Sequence, residues 1–238
     1  MTDLSVRGLT KRFGAVTAVQ DLSFDVGPGV TGFLGPNGAG KTTTLRMLLG
    51  LVRPTSGTAT VDGRPYAELS RPRRVVGALL EASGFHPGRT ARNHLLIQAQ
   101  PAGLPAARVD AVLDEVGLSA DADRRVGGYS LGMRQRLGLA SALLGDPAVL
   151  ILDEPGNGLD PAGMAWLRAL LRDLAGQGRT IVVSSHVLAE VAQTVDRVVI
   201  VNAGVLRFAG PLAELSAAGV SLEAAFLRLT SEREGSTR

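Results

Sequence analysis

Apolar and polar positions alternate early in the chain, and the alternation then gives way to a helical spacing and later returns as short apolar runs. Residues 4–10 and 18–26 read as strands, the second with Leu22, Phe24 and Val26 on one face. Gly27-Pro28-Gly29 is a turn, and the apolar run 30–34 is a further strand. Residues 43–51 follow with helical composition, and after the turn Pro54-Thr55-Ser56-Gly57 comes a short strand over 58–61. Residues 75–80 read as a buried strand. The character then changes to three helices, over 90–100 with Thr90 as a candidate cap, 105–116 with Gly117 at its end, and 130–144. Residues 85–145 are thus expected to form an all-helical insert. Beyond it, strands are expected over 149–152 and 180–184, helices over 161–175 and 187–195, and a hairpin of strands 198–201 and 205–208 about Asn202-Ala203-Gly204. Short helices over 211–218 and 221–229 and a flexible tail over 231–238 complete the pattern.

Composition narrows the possibilities. The 238 residues suffice for one large α/β domain or a core with a smaller lobe, and 45% hydrophobic content permits a sizeable interior. The absence of cysteine excludes disulfides, thiol catalysis and cysteine-ligated metals. No apolar run approaches the roughly 18–20 residues of a membrane span, and Arg7, Lys11 and Arg12 interrupt any leader-like stretch, so the chain is expected to stay in the cytoplasm. The net charge is +3, and no basic stripe with interleaved aromatics occurs at 4% aromatic content, which argues against a nucleic-acid partner.

Between the strand 30–34 and the helix 43–51 lies Gly35-Pro36-Asn37-Gly38-Ala39-Gly40-Lys41-Thr42-Thr43. It fits G-x-x-x-x-G-K-[ST] without a gap and in the strand–loop–helix setting that the pattern requires. Glycines let the backbone curl so that N–H groups converge on phosphate oxygens, and the helix start adds a positive dipole end. Lys41 then brings a point charge to the β- and γ-phosphates, and the Thr42 hydroxyl is placed to ligate Mg²⁺. A second motif is the apolar run 148–152 ending in Asp153-Glu154, with Asp153 112 residues after Lys41. A parallel strand buried on both faces is continuously apolar, and open α/β sheets bind ligands at strand carboxyl ends. Asp153 is the candidate to hold Mg²⁺, and Glu154 to polarise the water that attacks the γ-phosphate.

With these two motifs and four further segments in order, residues 4–210 resemble the ATP-binding subunits of the ATP-binding cassette (ABC) transporter family. Phe13 stands where the family has an aromatic that stacks on adenine, and its other reading is a core ring without a polar handle. The stretch from Tyr129 to Arg136 resembles the signature segment. There the resemblance implies that Ser130 and Gly132 offer a hydroxyl and a backbone N–H to the γ-phosphate of a partner's nucleotide, while Ser130 also suits a helix cap. Gly158-Leu159-Asp160 resembles the loop that touches the opposite subunit, and Ser184-Ser185-His186 resembles the strand end carrying the switch histidine, a γ-phosphate hydrogen-bonding partner.

The resemblance implies a P-loop NTPase fold: a mixed sheet flanked by helices, an N-terminal antiparallel β subdomain and an inserted helical subdomain. Residues 1–230 would be a single domain, with 1–84 and 146–210 as core, 85–145 as the helical subdomain and 211–230 as C-terminal helices. It implies ATP and Mg²⁺ as ligands, a separate transmembrane permease, a second ATP-binding subunit (a second copy being the simplest) and a place on the cytoplasmic face of the membrane. Three positions depart from the family pattern. The signature reads Tyr-Ser-Leu-Gly-Met, with Met133 in place of an amide. Gly156 replaces a small hydroxyl residue after the acidic pair. Glu81 replaces the glutamine that contacts Mg²⁺ and the attacking water, so Glu81 becomes a candidate metal and catalytic residue. A glutamate there resembles bacterial exporters of bacitracin- and lantibiotic-type peptides, and the segment after residue 210 resembles exporters of the ABC-2 type. The implied function is ATP hydrolysis powering efflux of an antibiotic peptide or drug. Importer subunits and non-transport family members in translation or DNA repair are the alternatives, and the latter usually carry two cassettes or a long insertion between phosphate loop and signature, whereas only 89 residues separate Lys41 from Ser130.

Overall fold

A computed structural model describes residues 3–80, 84–187, 191–216 and 221–231. The chain divides into two compact units, one holding the residues up to Leu69 and those from Leu171 onward, the other Ser70–Leu170.

The first unit contains two sheets. Strands β1 (Leu4–Phe13), β2 (Val16–Val26) and β4 (Ser56–Val61) form an antiparallel sheet in the order β2-β1-β4. Period-2 alternation puts Leu4 and Val6 of β1 opposite Val26 and Phe24 of β2, and all four are buried. The second sheet joins β3 (Gly29–Leu34), β7 (Thr180–Ser185), β8 (Arg197–Asn202) and β9 (Val205–Pro211). Strand β3 lies between β7 and β8 and pairs with both in parallel, while β8 and β9 form the expected antiparallel hairpin, so the sheet is mixed. Strand β3 is buried at every position but its first and β7 at every position, including the polar Thr31, Thr180, Ser184 and Ser185. Helix α1 (Lys41–Leu48) follows β3 and buries Leu45, Met47 and Leu48. Helices α7 (Leu212–Ser216) and α8 (Leu222–Ser231) close the unit, with the Asn202 amide donating to the Thr230 carbonyl at 2.6 Å. The helix expected over 187–195 falls partly outside the described residues.

The second unit pairs β5 (Val76–Leu79) with β6 (Val149–Asp153) in parallel. The strand expected from residue 75 begins one residue later, because a one-turn helix, α2 (Pro72–Val75), precedes it, with Pro72 in its first turn. Helices α3 (Ala91–Ala99), α4 (Ala106–Glu115) and α5 (Leu131–Leu143) occupy the stretch expected to be helical. The Thr90 hydroxyl accepts from the Asn93 amide at 3.1 Å, the cap read in the sequence. Half-buried Arg108 of α4 donates to the carbonyls of Leu143 and Leu144, which satisfies the carboxyl end of α5. Helix α6 (Pro161–Gly176) begins in this unit. Among the described residues no helix is long and apolar enough to cross a membrane.

Candidate active site

In the first unit the site is built by strand register. Leu34 of β3 pairs with Ser185 of β7, so the next residues, Gly35 and His186, leave adjacent parallel strands at the same level. This is the carboxyl edge, where an open α/β sheet presents its binding loops. The loop that follows β3 depends on its glycines. A Cβ at Gly40, whose φ is +95°, would stand 2.5 Å from the Ala18 carbonyl oxygen, and one at Gly35 would stand 2.2 Å from that of Val201. Gly38 has open space where a Cβ would be, which leaves that side of the loop clear for an incoming group. Gly40 is also the cap of α1 and supplies no side-chain acceptor to the first-turn amides. The Lys41 ammonium is buried, 7% exposed, and donates to the carbonyls of Gly35 at 2.7 Å and Pro36 at 3.2 Å. A hydrogen bond from the Ala39 amide to the Pro36 carbonyl (3.1 Å) closes the turn over Asn37 and Gly38. Thr42 and Thr43 continue into the helix. This donor set, backbone amides, an ammonium and a hydroxyl at a helix start, fits the phosphates of a nucleotide.

Phe13 and His186 also belong to this unit. Phe13 is 51% exposed at the end of β1, with the Lys11 ammonium 4.8 Å from its ring centre, so it is not a core residue. His186 is exposed just past β7, and the Ser185 hydroxyl accepts from the Val187 amide at 3.0 Å, which fixes the turn carrying it.

In the second unit β6 is buried throughout and ends at Asp153, itself only 6% exposed. Glu154 follows with φ of +50°, a left-handed backbone uncommon for a residue with a side chain. Its carbonyl accepts from the Asn157 amide at 3.1 Å and from the Gln135 side chain at 3.2 Å. Gln135 is a buried polar residue of α5, so the helix that begins at the signature is tied to the turn that presents Glu154. Gln135 lies within the signature stretch, and its burial rather than its residue type marks it.

The start of α5 is equally determined. Tyr129 is buried and its hydroxyl donates to the Asp121 carbonyl at 2.7 Å; burial raises its pKa above the ordinary value, with Asp121 adding to the effect. Exposed Ser130 caps α5, its hydroxyl accepting from the Met133 amide at 3.2 Å. A Cβ at Gly132 would lie 3.4 Å from the Gly158 carbonyl oxygen, which places the signature against the loop before α6. In that loop the Asp160 carboxylate accepts from the Gly163 amide at 2.7 Å and so caps α6. A Cβ at Gly156 would meet the Met164 sulfur at 2.8 Å, so a side chain there requires the flexible end of Met164 to move aside. Arg136 stacks over Trp166 with its guanidinium carbon 4.0 Å from the ring centre and donates to the Val116 carbonyl at 2.8 Å, linking α5 with α6 and with the end of α4. Glu81 lies outside the described residues. No group of three or more His, Cys, Asp or Glu able to hold a metal stands among the described residues. Mg²⁺ is commonly bound by one or two carboxylates together with substrate phosphates, and Asp153 at the end of β6 is one carboxylate of that kind.

The pattern of the ABC transporter family matches residues 19–157. The chain is 46% identical over 209 residues to the bacitracin transport ATP-binding protein BcrA of Bacillus licheniformis, covering 86% of this chain and 68% of that protein. It is 41% identical over 207 residues to the Nod factor export ATP-binding protein I of Burkholderia lata, covering 84% and 68%. Among solved structures, the ATP-binding subunit of an ABC transporter superposes with a TM-score of 0.86 at 27% identity, over 95% of this chain and 98% of that one.

Proposed function

This chain belongs to the ABC transporter family, whose ATP-binding members hydrolyse ATP to power transport, and on that premise we propose that it drives efflux through a separate membrane permease. The observation that carries the reading is the shared level at which Gly35 and His186 leave β3 and β7, together with the glycine-dependent loop that ends at Lys41. The relatives described as bacitracin transport and Nod factor export proteins support export, with an antibiotic peptide or drug as cargo. The chain acts at the cytoplasmic face of the membrane, and no nucleic acid is among its partners.

The residues divide the work as follows. The amides of residues 35–43 and the Lys41 ammonium bind the β- and γ-phosphates, with Lys41 exchanging the Gly35 and Pro36 carbonyls for phosphate oxygens. Phe13, exposed at a strand end, packs on the adenine. Thr42, Asp153 and Glu81 are the residues that would hold Mg²⁺, which when bound neutralises phosphate charge. Glu154 accepts the proton of the attacking water, and His186 donates to the γ-phosphate. Two copies pack head to tail, so that Ser130, Gly132 and Asp160 of one copy face the nucleotide of the other. ATP favours the closed pair and hydrolysis releases it; that differential affinity is what moves the permease.

The test is recovery of the tagged chain from detergent-solubilised membranes of its own cells. A multi-spanning protein recovered in near-equal amount is expected. Recovery of soluble partners alone would leave the ATPase standing and remove the export reading.

A further inference from the structure

The second unit carries a cleft that the nucleotide chemistry does not use. Its volume is about 690 Å³. One wall is Ser70 with Arg71, Arg73 and Arg74; the other is the short segment 101–103, which contributes no charge. No carboxylate lines it.

Three guanidinium groups within four residues repel one another unless something compensates them. Some surface arginines are compensated by a carboxylate of the chain: Arg7 pairs with Asp25, Arg92 with Asp110 and Asp123, and Arg124 with Asp121. The cleft arginines have no such carboxylate beside them. Arg71 and Arg74 are exposed and enter none of the ion pairs among the described residues. Arg73 is held differently, donating to the Gln98 carbonyl at 3.4 Å and to its amide oxygen at 3.3 Å. The arginines are also set on a fixed piece of backbone. Pro72 sits in the first turn of α2, and the Arg74 amide donates to the Arg71 carbonyl at 2.9 Å, so little backbone order has to be gained when a ligand arrives. The positive field reaches the neighbouring helix, where Arg73 and Arg89 add to burial in keeping His94 neutral.

We propose that this cleft binds a phosphate-bearing anion, with Arg71 and Arg74 as its charged ligands and Arg73, anchored on Gln98, shaping the wall between them. Guanidinium groups match the planar pairs of oxygens on a phosphate and grip them in two parallel hydrogen bonds, which an ammonium cannot do. The chain bears 23 arginines and only two lysines, so this chemistry is at hand. Two sources share it, the phosphodiester headgroup of an anionic lipid and a soluble phosphate.

The experiment separates them on the full chain. In one arm, flotation with phosphatidylglycerol vesicles is compared with phosphatidylcholine vesicles. In the other, pyrophosphate binding is followed by calorimetry in a K41A background, which weakens capture by the phosphate loop. Each arm is repeated with R71Q/R74Q and with R71K/R74K, after thermal melting has established that the variants fold. Binding in either arm that falls at least tenfold in R71Q/R74Q, and less in R71K/R74K, supports the site and identifies its source, with basal ATP hydrolysis unchanged when Lys41 is intact. Failure of both probes to bind above the phosphatidylcholine and buffer controls overturns it, as does equal binding by R71Q/R74Q and the parent chain.

Discussion

The Leu131 side chain fills the space where a Cβ of Gly158 would be: an ideal Cβ there would stand 2.2 Å from a Leu131 methyl carbon and 2.4 Å from its Cγ. Leu131 is the residue between Ser130 and Gly132 and is 58% exposed, so its main anchor is the glycine of the loop before α6. Gly158 has φ of +77°, and a side chain on that backbone costs about 1–2 kcal/mol by itself. Gly158→Ala should therefore lower stability by about 1–3 kcal/mol and reduce ATP hydrolysis by shifting the start of α5. Adding Leu131→Ala should recover the steric part and leave the backbone part. Denaturant unfolding and ATPase assays of both single variants and the double variant test this, and strictly additive effects would mean that the two residues do not act on each other.

Glu154→Gln keeps the shape of the acidic turn and removes the base. Hydrolysis should slow by about 10²- to 10⁴-fold while ATP binding persists. With ATP present, the variant should elute as a dimer in light-scattering chromatography, and Lys41→Ala should abolish that dimer. Near-normal phosphate release by Glu154→Gln would assign water activation to another residue.

Gln135 tests whether the signature helix positions the acidic turn. Gln135→Leu removes the donor to the Glu154 carbonyl, which keeps the Asn157 amide as its other partner. Because no group is orphaned, the loss is that of one net hydrogen bond, about 0.5–1.5 kcal/mol. A positioning role lowers kcat by more than it raises the KM for ATP, because Gln135 touches the turn and not the nucleotide. A loss confined to stability, with kcat intact below the melting temperature, would leave Gln135 a packing residue.

What could be read in the sequence was whatever depends on near neighbours. The apolar run before Gly35 and the glycines after it define β3 and its loop, and Thr90 and Ser130 mark helix starts because a hydroxyl three residues before a partner amide is a local arrangement. The left-handed backbone of Glu154 was not legible, since glutamate does not announce a positive φ; that conformation is held by contacts from Gln135, 19 residues away, and from Asn157. The closeness of residue 156 to Met164 was hidden in the same way, because Met164 lies on the next helix. The exposure of Phe13 removes the core-ring reading that residue type had left open. The one-turn helix at 72–75 was missed because four residues carry too few positions to show a period.

His94 should make folding sensitive to mild acid. Its ring lies edge-on to Phe85, with ring centres 5.0 Å apart. Gln98 gives its amide oxygen to Arg73, so its amide nitrogen, 2.7 Å from His94 Nε2, donates to that atom, and the ring accepts there in its neutral form. Burial first, and then the charges of Arg89 and Arg73, lower its pKa below the ordinary 6.5. The unfolded chain takes up a proton near 6.5, the folded one only at lower pH. Between those two values the unfolded state binds more protons, so stability rises with pH. The His94 contribution is therefore complete above about pH 6.5 and is lost as pH falls toward the lowered folded value. His94→Gln should remove that portion of the slope. Denaturant midpoints from pH 7.5 to 5.5 should decline more steeply in the parent chain than in the variant, and parallel declines would show that other groups set the acid sensitivity.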